Sequence, residues 1–99
     1  MAHFAEIDEN YNVTRVVVVA NETITREDGT EDESLGNVFL TKLLGGRWIQ
    51  TSYNGKMRGR YAGIGYHYDP VINEFIPPEW KFENGKWVPP TPVEGETDP

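Results

Sequence analysis

The sequence predicts a mainly β (α+β) domain, a small antiparallel sheet of about six or seven strands with one short helix. Three observations carry that expectation. β-Branched and aromatic residues fall in short runs, several of them alternating with polar ones. Clusters of Gly, Asn, Asp and Pro punctuate those runs. A single stretch, residues 34–44, repeats its apolar side chains at helical spacing.

Residues 2–8 and 13–20 read as the two strands of a hairpin, joined by the turn cluster Asp8-Glu9-Asn10-Tyr11-Asn12. The second strand carries Val on both faces, which predicts a central position with both sides covered. Residues 21–33 read as a solvated acidic loop. Their carboxylates lack the alternate spacing and the glycine position of a calcium-binding loop. The helix over 34–44 begins at Thr30-x-x-Glu33 or at Ser34 and stops at Gly45-Gly46. Phe39 and Leu43 are expected in its core-facing stripe. Gly36, inside the helix, costs about 1 kcal/mol relative to Ala.

Beyond Gly46 the texture changes. Arg47 to Tyr53 reads as a strand, Asn54-Gly55 as a turn, and residues 61–68 as a strand with Ala62, Ile64, Tyr66 and Tyr68 on one face. Gly63 and Gly65 then leave a shallow trough on the other face. Phe75-Ile76 reads as strand, ended by Pro77-Pro78. The clearest local signal is Trp80-Lys81-Phe82-Glu83-Asn84-Gly85-Lys86-Trp87-Val88, a hairpin with a two-residue Asn-Gly turn. Its register sets Phe82 opposite Trp87 and Glu83 opposite Lys86. The domain is thus expected over residues 1–90, with 91–99 an acidic, Pro-rich tail.

Composition narrows the function. The 99 residues suffice for one domain. With no cysteine, disulfides, thiolate metal sites and a Cys nucleophile are excluded. A formal net charge of −7 argues against nucleic-acid and anionic-membrane partners. No secretory leader or apolar spanning segment is legible. The charge is uneven: residues 1–46 hold three basic and nine acidic side chains, residues 47–99 six and seven.

Catalytic patterns are absent from the sequence. His3 and His67 lie in no zinc-binding spacing. Ser52, His67 and Asp69 lack a nucleophile elbow, and Gly63-Ile64-Gly65 lacks the third glycine and following helix of a dinucleotide loop. No enzyme activity and no cofactor are expected. The candidate binding residues are Trp48, Tyr53, Lys56, Arg58, Arg60, Tyr61 and Tyr66, which interleave aromatic rings with the chain's only basic cluster. Tyr, Trp and Arg are the residue types that anchor protein interfaces, although a chain with few aliphatics also needs rings for its core.

The opening Met1-Ala2-His3-Phe4-Ala5-Glu6-Ile7-Asp8-Glu9-Asn10, the segment Trp48-Ile49-Gln50-Thr51-Ser52-Tyr53-Asn54, the block Tyr61-Ala62-Gly63-Ile64-Gly65-Tyr66 with Tyr68-Asp69, and Phe75-Ile76-Pro77-Pro78 resemble short uncharacterised proteins of marine tailed bacteriophages, especially those of cyanobacteria. The resemblance runs to about Pro90, and Trp80 follows Pro78 after a shorter spacer than that pattern has. It brings no activity, cofactor or site residue with it. It implies a viral origin and a virion component. The expected function is therefore a phage structural protein, a capsid decoration or cement protein or a small tail-associated one. Its partners would be capsid or tail subunits, with homo-oligomerisation as an option, in the virion and, during assembly, the host cytoplasm. The alternatives are a host-takeover or regulatory protein acting on a host protein, and a carbohydrate-binding surface module.

Overall fold

The computed structural model describes residues 1–52 and 57–91. Its fold class is the expected one: mainly β, with small antiparallel sheets and two short helices. Among the described residues there are seven strands. They form three sheets and not one.

The first sheet holds β1 (Ala2–Ile7), β2 (Val13–Val19) and β3 (Arg47–Thr51), in the order β2-β1-β3. The central strand is therefore β1, and the Val-rich β2 lies at an edge, with Val18 half exposed. This corrects the expectation of a central second strand. β1 can take that place because its side chains bury on both faces: Ala2 and Phe4 on one, Ala5 and Ile7 on the other. Antiparallel register keeps partners on the same face, so Phe4 shares its side with Val17 and Gln50, and Ala5 with Val16 and Ile49.

Two short helices cover the Phe4 face. The expected acidic loop contains a one-turn helix, α1 (Asn21–Ile24), whose Ile24 is fully buried. The second helix, α2 (Glu33–Leu44), spans nearly the predicted residues. Its N-cap is Asp32, whose carboxylate accepts from the Ser34 backbone N–H and hydroxyl. Arg26 donates to the same carboxylate at 2.6 Å. These donors hold the Asp32 carboxyl at about 2, well below its ordinary value, with the Arg26 contact the largest cause. The helix buries Gly36 and Leu40 and leaves Phe39 and Leu43 exposed. Phe39 and Leu43 are thus not the core stripe. The buried row runs along 36 and 40 because the end of the Phe4 ring presses against the helix at Gly36.

Residues 57–91 cover the opposite face of β1. Ala62, Tyr68 and Phe75 complete a second core with Ala5, Ile7 and Val13. The Ala62 N–H donates to the buried Thr51 hydroxyl at 3.0 Å, fixing this segment to β3. Residues 61–66 are not a strand. Tyr66 N–H bonds to Gly63 O, and Gly65 has φ +90°, the third position of a type II turn that only glycine fills without strain. The expected trough of Gly63 and Gly65 is that turn, and Ile64 points to solvent at its tip. The strand resumes as β4 (His67–Asp69), paired with β5 (Glu74–Ile76). Main-chain bonds from Val13 N–H to Tyr66 O and from Tyr68 N–H to Tyr11 O tie β4 to the β1–β2 turn.

Pro77-Pro78 supplies no ladder N–H, so the chain leaves this sheet. It returns in the predicted hairpin, β6 (Lys81–Glu83) and β7 (Lys86–Val88), with Phe82 opposite Trp87 and Glu83 opposite Lys86 as expected. The two rings meet edge to face with centroids 5.4 Å apart. Residues 92–99 of the expected tail lie outside the described residues.

Gly36 gives a test of the helix packing. A Cβ there would stand 2.8 Å from Cε1 of Phe4 and closer still to Cζ. On helix propensity alone, Gly36→Ala stabilises by about 1 kcal/mol. Overpacking of this kind costs about 1–3 kcal/mol, so Gly36→Ala is expected to lower stability in urea unfolding. A gain would show that the ring is free to move aside.

Candidate functional site

The predicted binding residues do not share one surface. Trp48 is in the first core, 4% exposed, with its indole N–H donated to Gly45 O at 2.7 Å and Arg15 stacked 5.3 Å from its ring. It is a core residue, contrary to the expectation of an outward role. Tyr66 is half buried against the second core, its ring lying over Gly63. Tyr61 is exposed and meets His3 edge-on at 5.8 Å. Tyr53 and Lys56 lie outside the described residues.

Arg58, predicted as an outward binding residue, turns its side chain into the fold instead. Its guanidinium donates to Gln50 O at 2.7 Å, to Glu33 Oε1 at 2.9 Å and to Asn73 Oδ1 at 2.9 Å. Glu33 Oε2 meanwhile accepts the Gln50 N–H at 2.8 Å. One side chain thus joins the start of α2, strand β3 and the loop before β5. Its side chain is only 18% exposed. The turn itself carries two successive residues at positive φ, Arg58 at 54° and Gly59 at 82°, which is why no strand runs through it.

Among the described residues, Arg60 is the one predicted cation on a candidate surface. It donates to Phe75 O at 2.6 Å, and its guanidinium stacks 5.0 Å from the Trp80 ring. Here the β6–β7 hairpin lies across the β4–β5 hairpin. Trp87 makes the second attachment: its indole N–H donates to Asp69 Oδ2 at 2.7 Å, and its ring packs on His67 at 5.5 Å. Between the two attachments runs a groove of about 190 Å³. Trp80, Phe82, Trp87, Ile72 and Ile76 line it, with Arg60, Lys86 and Glu74 at its rim. Phe82 is 58% exposed and Ile72 47%. A larger hollow of about 370 Å³ on the other side of the hairpin has no aromatic wall and is lined by Glu79, Lys81, Glu83 and residues 88–91.

The groove offers apolar faces, with Arg60, Lys86 and Glu74 among its lining residues. It suits an extended peptide, the chemistry of aromatic-lined grooves that take polyproline segments. Sequence reasoning missed it, although the Asn-Gly register already put Phe82 and Trp87 on one face. The missing step was what that face lies against, since Ile72 and Arg60 come from other parts of the chain. The hypothetical Ser52–His67–Asp69 relay is not assembled: Ser52 lies in a hollow with Met1 and His3, His67 Nδ1 faces Asn12 Oδ1, and Trp87 takes Asp69. Among the described residues no cluster of three or more His, Asp or Glu is arranged to hold a metal ion, and no helix is long and apolar enough to cross a membrane.

No family model, curated protein or solved structure matches the chain.

Two measurements check this geometry. Arg58→Ala strands Glu33 and a strand carbonyl, so it is expected to cost about 2–3 kcal/mol, a drop in thermal midpoint on the order of 10 °C for a chain of this size. An unchanged midpoint would show that these bonds add little to the stability of the fold. The second concerns pH. The Trp87 indole N–H, first among several donors, holds the Asp69 carboxyl below its ordinary value of 3.8. That attachment is complete above 3.8 and is lost as pH falls through the lower folded value. Tryptophan emission should therefore shift to the red in acid as the hairpin loosens. In Asp69→Ala the emission is red-shifted already at neutral pH, and the acid step is much reduced.

Proposed function

We propose that the chain is a non-catalytic protein-binding component that engages an extended segment of its partner in the Trp80–Phe82–Trp87 groove. The observation that supports this most is the groove itself: Ile72, Trp80, Phe82 and Trp87, none fully buried, over the buried Ile76, with Arg60, Lys86 and Glu74 also in its lining. Exposed aromatic rings of this kind carry little folding energy and supply the anchors of protein interfaces. In the setting that the phage resemblance implies, this is a virion structural protein, a capsid decoration or cement protein or a small tail-associated one, with capsid or tail subunits as partners.

A host-directed regulator acting through the acidic first half has less support. Of the acids in residues 27–33, Asp32 is engaged by Arg26, and Glu33 by Arg58 and the Gln50 N–H. Their charge serves the fold.

Mass spectrometry of purified virions of a phage encoding the chain tests the structural reading, with recovery in many copies per particle as the expected result. Absence from the particle sinks it. The groove is tested by Phe82→Ala, which is expected to lower incorporation at least tenfold while the thermal midpoint changes little, because Phe82 is more than half exposed. Normal incorporation of that variant would place the interface elsewhere.

A further inference from the structure

The sequence holds one Pro-x-x-Pro run, Pro89-Pro90-Thr91-Pro92, followed by Glu94, Glu96 and Asp98 with no basic residue among them. A polyproline helix turns once in three residues, so in that form Pro89 and Pro92 share an edge, about 9 Å apart. Segments of this kind dock on aromatic-lined grooves because they enter already extended and lose little entropy. The groove of Trp80, Phe82 and Trp87 has that lining, and its charge complements the segment. Arg60 and Lys86 outnumber Glu74 there, and neither cation has an ion partner among the described residues.

A chain does not place this run in its own groove. Pro89, Pro90 and Thr91 are exposed and line the hollow on the other side of the hairpin. Pro89 follows Trp87, a groove wall, by two residues. That is about 7 Å of chain, too short to fold back over the rings.

We propose that residues 89–98 of one copy occupy the Trp80–Phe82–Trp87 groove of a second copy, with the prolines on the rings and the acids toward Arg60 and Lys86. This occupancy rests on the groove being a site for extended segments, and it regulates that site, since the chain's own segment competes with the partner's. Each copy carries both halves of the contact, so association is heterologous, from segment to groove. A single short segment buries little area, so the contact is weak and reversible. A partner segment held at higher local concentration displaces it. Salt weakens it, because its charged part is exposed.

Sedimentation velocity of the full chain over a range of concentrations tests this. The expected average mass rises with concentration. Phe82→Ala, which removes a groove wall, and the double change Pro89→Ala with Pro92→Ala, which removes the polyproline edge, should each weaken association at least tenfold. Mixed in equal amounts, the two variants should pair one to one, because one keeps the segment and the other keeps the groove. A synthetic peptide of residues 88–99 contains no tryptophan. Added to the unmodified chain, it should dissociate the assemblies and shift tryptophan emission, and the same peptide with both prolines replaced should do neither. A chain that stays monomeric at every concentration overturns the proposal. So does association that survives either variant, a mixture that fails to pair, or a peptide without effect. Virion incorporation separates this failure from that of the groove itself. If Phe82→Ala lowers incorporation while self-association is absent, only the self-contact fails. If Phe82→Ala changes neither, both fail.

Discussion

The Arg58 guanidinium is where the two halves of the chain are joined. It reaches a carboxylate at the head of the second helix, a carbonyl of β3 and the Asn73 side chain, elements contributed from opposite sides of the central sheet. Tyr68 adds its hydroxyl to Asn73 as well. The Gln50 carbonyl and the Glu33 carboxylate are polar groups that the fold has partly withdrawn from water, and each would be costly to leave unmatched. The positive φ of Arg58 follows from this demand: the backbone turns so that the side chain can point inward.

Around that node the architecture is three layers thick. The helices, the three-stranded sheet and the aromatic second half are stacked, and β1 lies in the middle. A chain of 99 residues with few aliphatic side chains can complete two cores only if a single strand serves both. Rings then fill the outer layer: Tyr68 and Phe75 lie 5.2 Å apart over Ala5 and Ile7. The same economy of apolar material explains why most of the tyrosines between residues 61 and 68 face inward, and why the groove recruits its aromatic walls from the last hairpin.

Much of the fold was legible in the sequence. β1, β2, β3, the second helix and the Asn-Gly hairpin fall within a few residues of their predicted spans, because turn chemistry and local periodicity are properties of neighbours in the chain. The errors share a cause. Which face of the helix is buried depends on Phe4, some thirty residues away. Whether residues 61–66 extend depends on Gly65 closing a turn, whereas alternation alone suited a strand. Arg58 reads as a binding residue, and its inward role was not legible, because its three acceptors are remote in sequence. The groove was illegible for the same reason, since its walls come from Arg60, Ile72 and residues 80–87. Thus elements were read from local pattern, while the candidate site depends on their assembly.

The position of β1 ahead of every element that covers it has a kinetic consequence. Its hairpin with β2 is local, and forms early in any sensible pathway. Its other edge waits for residues 47–51, and its second face for Ala62, Tyr68 and Phe75. During synthesis, then, β1 is made before the segments that cover it, and its second face stays uncovered until Phe75 has left the ribosome. Contacts of this sequence separation slow folding relative to a chain whose contacts are local. The paired Ala5 and Ile7 are, in the interval, the segment a chaperone would find.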